Sequence, residues 1–342
     1  MTGMGGDDSG QVAAADAGRP PVVAPGLIAA PAGIDLVAAF AGLAAHGDDG
    51  LVRLDGDRLY TIERLDRTAV AVETTLTPDD HGHLAVVVEA GAVALLERAT
   101  QAIAARLHLP GAAFMALMAE DPVIRRAHQT AGTRPTLLYP EPLVVLLRTI
   151  SAQLVNLAWA ATTRRRLADG FGITRPVGQG WVIDIDPARI AALDPDEIKA
   201  LQFTGAKARA IVAVAQAILA GDLDAAALSR LDTPAIRARL TAIAGIGDWT
   251  ADWVLARGLG RPVVATGDLG VRKAVARAYF GQEIIPATDV ARATSHWGAA
   301  ALDAQTLLLA TLSSAGAEGA TPRMAARPRP GVVRRPKAET RS

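Results

Sequence analysis

Asp268 is the acidic residue whose setting in the sequence best suits chemistry. It follows Gly267 and precedes an amphipathic run, Leu269 to Tyr279, so it is predicted to be the N-cap of a helix. Capping and the helix dipole both favour the ionised carboxylate. A carboxylate fixed in this way can offset positive charge that develops on a neighbouring group, or can orient a water molecule. A plain N-cap with no further role is the alternative.

Two tryptophans precede this carboxylate by less than 20 residues. Trp249 and Trp253 lie four residues apart, so on a helix they share one face. One interpretation is a flat aromatic wall that binds a planar ligand and favours positive charge, since a cation over an indole face gains roughly 0.5–2 kcal/mol. The other interpretation is that both rings belong to the core.

The tryptophans follow a predicted helix-turn-helix hairpin. Residues 234–242 are predicted to form its first helix, and the second begins near Asp248. In the turn between them, Gly245 and Gly247 are both expected to take backbone angles that are closed to other residues. The first amides of the second helix are free to bind an anion, and a DNA phosphate fits. The negative charge of Asp248 should weaken that contact slightly.

These residues carry a resemblance to a known family. A hairpin ending in Gly-x-Gly, followed by Trp-Thr-Ala and then by an aspartate about 20 residues on, resembles the helix-hairpin-helix DNA glycosylases, and within them the 3-methyladenine DNA glycosylase II family. A second block, Arg148 to Val155, resembles the helix of that family whose glutamine approaches the lesion and whose leucine wedges into the duplex. The likeness extends from about residue 26 to residue 315.

The resemblance implies a role for each matching residue. Asp268 falls on the position of the catalytic aspartate. The base pocket would be formed by Trp249, Trp253 and Gln153. The DNA-binding positions are Leu154, Gly245, Ile246, Gly247 and Thr250. A structural monovalent cation at the hairpin would be held by the backbone carbonyls of Thr241, Ile243 and Ile246; no cofactor is required for the reaction.

Trp249 also bears on the type of reaction. Bifunctional relatives, which cleave the DNA backbone through a Schiff base, carry a lysine at this position, and an indole cannot replace that amine as a nucleophile. We therefore expect a monofunctional glycosylase that hydrolyses the N-glycosidic bond of alkylated purines in duplex DNA and has no lyase activity. The sequence contains no cysteine, which excludes an iron–sulfur cluster. Near Leu309 we expect an aliphatic pocket wall.

The elements that must position these residues indicate an α+β fold. Strands are predicted over Leu59–Ile62, Ala69–Thr74 and Leu84–Val88, as a small antiparallel sheet, and nearly everything from residue 90 to about 315 reads as short amphipathic helices. We assign residues 26–115 to a small N-terminal α+β domain and 116–316 to a helical helix-hairpin-helix glycosylase region. Residues 1–25 and the basic tail 317–342 are expected to be disordered.

The composition and charge of the chain limit the partners that it is expected to bind. The net charge is zero, but the segment from Thr321 onward has six arginines and one lysine against Glu339, which could attract phosphate. A secretory signal and a membrane span are not expected. The expected partner is double-stranded DNA with alkylated bases, bound by a monomer in the cytoplasm, with no membrane partner.

Two other readings remain open at this point. A catalytically silent helix-hairpin-helix protein could keep the hairpin for duplex or lesion recognition, although such a protein has no need of the carboxylate at Asp268. A purely structural helical protein with an accidental turn would not explain two matching blocks about 90 residues apart.

Overall fold

The computed structural model describes residues 24–66 and 68–318. The strands are β1 (Gly26–Ala29), β2 (Arg53–Asp55), β3 (Arg58–Leu65), β4 (Thr68–Thr75), β5 (His83–Val88), β6 (Leu107–His108), β7 (Thr136–Leu137), β8 (Ile173–Val177) and β9 (Gly180–Asp184). The helices are α1 (Leu36–Phe40), α2 (Gly42–Ala45), α3 (Leu96–Arg106), α4 (Ala112–Glu120), α5 (Pro122–Ala131), α6 (Pro142–Ala152), α7 (Leu157–Phe171), α8 (Pro187–Ala191), α9 (Pro195–Ala200), α10 (Gly205–Leu219), α11 (Ala225–Ser229), α12 (Thr233–Thr241), α13 (Asp248–Trp253), α14 (Leu269–Val275), α15 (Ala287–Ala293) and α16 (Ala301–Glu318).

The N-terminal sheet is antiparallel, with strand order β1-β5-β4-β3-β2. The three predicted strands correspond to β3, β4 and β5, and all three contain the β-branched residues that strands favour. With mostly helical structure after this sheet, the predicted α+β class is confirmed. The short edge strands β1 and β2 carry no clear pattern of their own and were not predicted.

A β-hairpin lies within the region after residue 90, which the sequence predicts to be nearly all helical. Strands β8 and β9 pair antiparallel around a turn at Gly178, whose φ is +54°. Val177 and Val182 are buried against Tyr60 of β3 and Ala71 of β4. The hairpin therefore covers one face of the sheet, and its apolar side chains are needed there because the sheet would otherwise expose that face.

The helices form two hydrophobic cores. The first is built mainly from α6, α7, α10, α12 and α13, and includes Ile246, Ala251 and Leu255. The second is built mainly from α4, α5, α14 and α16, and includes Val271 and Val275. Since α13 belongs to the first core and α14 to the second, the residues at the start of each helix face a cleft where the cores meet.

The predicted division at residues 115 and 116 remains a prediction. Strands β6 and β7 pair across it, so backbone hydrogen bonds join the two proposed regions. Most of the two ends predicted to be disordered, 1–23 and 319–342, lie outside the described residues, and α16 extends to Glu318. In the part of the chain that the structure describes, no helix is long and apolar enough to cross a bilayer.

Candidate active site

The hairpin forms between α12 and α13, close to the predicted boundaries. Gly245 has φ +91°, and a Cβ there would lie 3.0 Å from Cβ of Ala210, so this position needs glycine. Gly247 is different: its backbone is extended, with φ −101° and ψ −178°, and a Cβ would meet open space. The expectation that both glycines adopt restricted angles is therefore wrong for Gly247.

The side chains of two predicted DNA-binding residues are buried. Ile246 is 4% exposed and anchors the turn in the first core, and Thr250 is 1% exposed. In this conformation neither side chain can reach a duplex, whereas Gly245 and Gly247 are exposed. Asp248 is exposed too, and its carboxylate lies 3.6 Å from Arg237, which offsets part of its charge.

Both oxygens of Asp268 have partners. Oδ1 accepts the amide of Val271 at 3.0 Å, so the predicted N-cap of α14 is confirmed. Oδ2 accepts the indole N–H of Trp249 at 3.0 Å and that of Trp253 at 3.3 Å. Three donors hold the carboxylate in one orientation beside both tryptophans.

The two tryptophans share a face, as predicted, but differ in their surroundings. Both are partly buried. Trp253 packs against the second core, so the interpretation as a core residue is partly right for this ring. Among the hydrophobic clusters of the described residues, none includes Trp249. The face of Trp249 is thus the more available one for a ligand.

The loop before Asp268 is held by a residue that the sequence analysis missed. Gln305 of α16 is 2% exposed, and its Oε1 accepts the amide of Ala265 at 2.8 Å. The carbonyl of Ala265 in turn accepts the amide of Asp268 at 2.9 Å. A buried glutamine in the apolar run of α16 was the available signal, because buried polar groups are retained only where they are hydrogen-bonded.

The second motif block ends α6 and faces the hairpin. The side-chain amide of Gln153 donates to the carbonyl of Gly245 and to Oγ1 of Thr250, both at 3.0 Å. Gln153 therefore lines the cleft, but its nitrogen is committed to the hairpin. Nζ of Lys207 donates to the carbonyl of Ser151 at 2.9 Å, and burial lowers the pKa of this lysine.

Leu154 is fully exposed, at 104%, and has φ +55°. A left-handed conformation is unfavourable for a leucine and is most often found where function requires it. This exposure excludes Leu154 from the hydrophobic core. Val155 and Leu157 beside it are exposed as well, so the side chains form an apolar projection from the surface.

These elements surround a cavity of about 1300 Å³. Asp268, both tryptophans, Gln153 and Leu154 all line it, so most of the predicted site residues come together. Leu309 also lines it, which places an aliphatic side chain at the predicted wall. A Cβ at Gly270 would lie 3.0 Å from Oδ1 of Asp268, so the glycine keeps the space beside the carboxylate open.

The sequence analysis did not single out the cationic and aromatic groups deeper in this cavity. They include Tyr139, Arg148, Arg164 and Arg257. Asp49 accepts hydrogen bonds from Arg148 at 2.5 Å and from Arg164 at 2.8 Å. Burial opposes ionisation of Asp49, but the two arginines outweigh that effect and its pKa is lowered. These residues are distant in sequence, so no local pattern reveals the cluster.

The three carbonyls predicted to hold a cation lie at the end of α12 and in the turn. The carbonyl of Ile243 accepts the amide of Ile246 at 3.0 Å, which leaves it a second lone pair. Neutral oxygens at the negative end of a helix dipole suit a monovalent cation. The donor set therefore fits the expected ion.

One family model matches part of the chain. Residues 147–299 match the model described as "HhH-GPD superfamily base excision DNA repair protein". The matched segment contains the second motif block, the hairpin, both tryptophans and Asp268.

Two curated relatives and one solved structure are similar to the chain. "Putative DNA-3-methyladenine glycosylase YfjP" of Bacillus subtilis (strain 168) is 33% identical over 166 residues, 48% of this chain and 56% of that protein. "DNA-3-methyladenine glycosylase 2" of Escherichia coli (strain K12) is 33% identical over 112 residues, 33% of this chain and 39% of that protein. The chain thus spans little more than half of the first relative. The structure of a 3-methyladenine DNA glycosylase from Archaeoglobus fulgidus has the same fold, with a TM-score of 0.71 at 20% identity, covering 83% of this chain and 97% of that one.

Proposed function

We propose that the chain is a monofunctional DNA glycosylase of the HhH-GPD superfamily of base excision DNA repair proteins, whose model matches residues 147–299. Its reaction is hydrolysis of the N-glycosidic bond of alkylated purines in duplex DNA. The observation that carries the proposal is the carboxylate of Asp268, held by Trp249 and Trp253 at the wall of a cavity large enough for a nucleobase.

The chemistry at Asp268 follows from charge. When the bond between C1′ and the base nitrogen breaks, its electron pair leaves with the base and positive charge develops on the sugar. The carboxylate stabilises that charge, and water adds to C1′ and loses a proton to solvent, which leaves an abasic site. An alkylated purine with a formal positive charge departs as a neutral molecule, so little general-acid help is needed.

DNA binding is assigned to the exposed parts of the site. The amides at the start of α13 would contact a phosphate, and the exposed leucine at position 154 would fill the gap that the flipped nucleotide leaves in the stack. A monovalent cation held by the carbonyls of Thr241, Ile243 and Ile246 would add positive charge at that turn. The basic segment from Thr321 would add phosphate attraction that is independent of sequence.

Trp249 supports the absence of lyase activity. Schiff-base chemistry needs an amine at the reacting sugar, and the two side chains that contact Oδ2 of Asp268 are indoles. Lys207, the lysine that the structure places near the second motif block, donates to the backbone of Ser151.

The test is base release from a methylated duplex, analysed together with strand integrity. We expect free methylpurine and an abasic site in a strand that remains intact until it is treated with alkali, and no covalent complex after borohydride treatment. Binding of the duplex without base release would support the catalytically silent alternative. Strand cleavage with a borohydride-trapped complex would refute the monofunctional assignment.

A further inference from the structure

The cavity that contains Asp268 also contains a cation for which the described part of the chain provides no counter-ion. Arg257 lies in the π-helical turn Val254–Gly258 that continues α13, one turn beyond Trp253. Its guanidinium is 5.8 Å from the centroid of the Trp253 ring. Among the described residues, none offers it a carboxylate within ion-pair distance or a hydrogen-bond acceptor.

The groups around Arg257 do not neutralise it. Arg148 and Arg164 share the single carboxylate of Asp49, so these three residues already carry a net positive charge. Burial lowers the pKa of Arg257; the hydroxyl of Tyr139 opposes this shift and the charge of Arg148 adds to it. A guanidinium remains protonated in proteins despite such shifts. The inner end of the cavity is therefore positively charged.

The position of Arg257 along the helix indicates which part of a DNA substrate it can contact. The hairpin surface is at Gly247, and Arg257 follows Trp249 by two turns, about 12 Å along the helix axis at 1.5 Å per residue. DNA phosphates stay at the duplex surface, while an extruded base enters the cavity edge first. The group that reaches Arg257 is thus an edge of the base.

Arginine donates hydrogen bonds and accepts none. It favours a carbonyl oxygen and disfavours an amino group at the same place. 7-Methylguanine has the carbonyl oxygen O6 where 3-methyladenine has an amino group. We propose that Arg257 reads this edge of the flipped base and makes the enzyme favour alkylated guanine over alkylated adenine; the inference rests on the proposed glycosylase function.

The same arginine limits selection by charge. The guanidinium of Arg257 already interacts with the ring of Trp253, so that ring attracts a second cation less strongly. The guanidinium also repels a second cation. Stacking of a positively charged base then depends on Trp249. The edge of the base, more than its charge, then determines which methylated purine the enzyme prefers.

A single methylated duplex tests the proposal, because it contains both lesions. Wild-type enzyme and the variants Arg257→Met, Arg257→Lys and Arg165→Met are incubated with it at saturating enzyme, and released 7-methylguanine and 3-methyladenine are separated and quantified over time. Arg165 is a matched control: it lies on α7, does not line the cavity and pairs with Asp169 on the surface. The ratio of the two rates is the readout, since a loss of folded enzyme affects both rates equally.

We expect Arg257→Met to lower the ratio of 7-methylguanine to 3-methyladenine release by about tenfold or more, as the loss of a hydrogen bond from a charged donor implies. Arg257→Lys keeps the charge without the planar fork and should give an intermediate ratio. Arg165→Met should leave the ratio unchanged.

An unchanged or increased ratio in Arg257→Met would overturn the proposal and leave Arg257 a structural residue. If that variant does not fold, Arg257→Lys decides: a ratio equal to that of wild type refutes base reading by the guanidinium. Failure of the wild-type enzyme to release either base would instead refute the proposed function.

Discussion

The substitution Asp268→Asn removes the negative charge on which the proposed catalytic role of Asp268 depends, and it keeps the size and shape of the side chain. An asparagine is isosteric, and its oxygen can still cap α14 by accepting the amide of Val271. Its nitrogen would then face the N–H groups of Trp249 and Trp253, which now donate to Oδ2. Three donors and no acceptor would meet at that point.

The two orientations of the amide set the loss of stability. If the amide oxygen of the asparagine caps the helix, the two indole N–H groups lose a charged acceptor. Each lost hydrogen bond costs about 1.5–3 kcal/mol, and less where water can reach the partly buried rings. With the oxygen toward the indoles, the cap is lost, which costs about 1 kcal/mol. The variant adopts the second orientation because it costs less free energy, so we expect a decrease of about 1 kcal/mol in the free energy of unfolding.

The effect on catalysis should be much larger. Removing a preorganised electrostatic group from a transition state typically slows the reaction by about 10²–10³-fold, and we expect Asp268→Asn to lose at least that much. Single-turnover release of methylpurine measures the rate, urea unfolding the stability, and fluorescence anisotropy with an abasic-site duplex the affinity. Asp169→Asn, an exposed carboxylate on α7, is the control for the change in charge. A folded Asp268→Asn variant that releases base at the wild-type rate would show that Asp268 is only a cap.

The remaining predictions concern the hairpin, the wedge and a buried network. Gly245→Ala should lower the free energy of unfolding by about 1–2 kcal/mol because of its positive φ. Gly247→Ala should not change stability but should weaken binding of damaged and undamaged duplexes alike; unchanged binding would mean that the hairpin does not contact phosphate. Leu154→Ala should unfold like wild type in urea, because the side chain is fully exposed, yet release base more slowly from a paired lesion; an unaffected rate would refute the wedge. Tyr279→Phe removes a hydroxyl that donates to Asp121 and should cost about 1 kcal/mol at pH 7. Burial opposes ionisation of Asp121, but its hydrogen bonds outweigh this and lower the pKa below the ordinary 3.8. The stabilisation by the ionised Asp121 is therefore present above pH 3.8 and is lost as the pH falls through the lowered pKa. In urea unfolding at such low pH, the difference in stability between Tyr279→Phe and wild type should be smaller than at pH 7. An undiminished difference would contradict the role of the carboxylate.

Features encoded within a few residues were predicted well. The bounds of α12, the start of α13, the N-cap at Asp268 and the three long strands of the sheet follow from glycines, capping residues and alternating apolar positions, which act on the neighbouring backbone. The shared face of Trp249 and Trp253 follows from helical spacing in the same way. The resemblance of the two motif blocks then sufficed to predict the family.

Patterns within the sequence were less informative where contacts with distant residues decide the conformation or the burial of a residue. Gly-Ile-Gly alone does not reveal that Gly245 needs a positive φ while Gly247 is extended, because the close approach comes from Ala210 on another helix. Nor does it reveal that Ile246 is buried in a core. The hairpin β8–β9 was missed because its strands are short and complete the face of a sheet that lies about 100 residues earlier in the chain.

The sequence by itself determined which residues are proposed to carry the chemistry: an aspartate that caps a helix, two tryptophans on one face, and a glycine turn before them. Only the tertiary structure decided how they act together. It brings both indoles onto one oxygen of Asp268, holds the preceding loop through Gln305, and places Arg257 in the same cavity. Capping and helical periodicity depend on neighbours in the chain, whereas a hydrogen bond between side chains depends on the packing of separate helices, and that packing is set by the whole core.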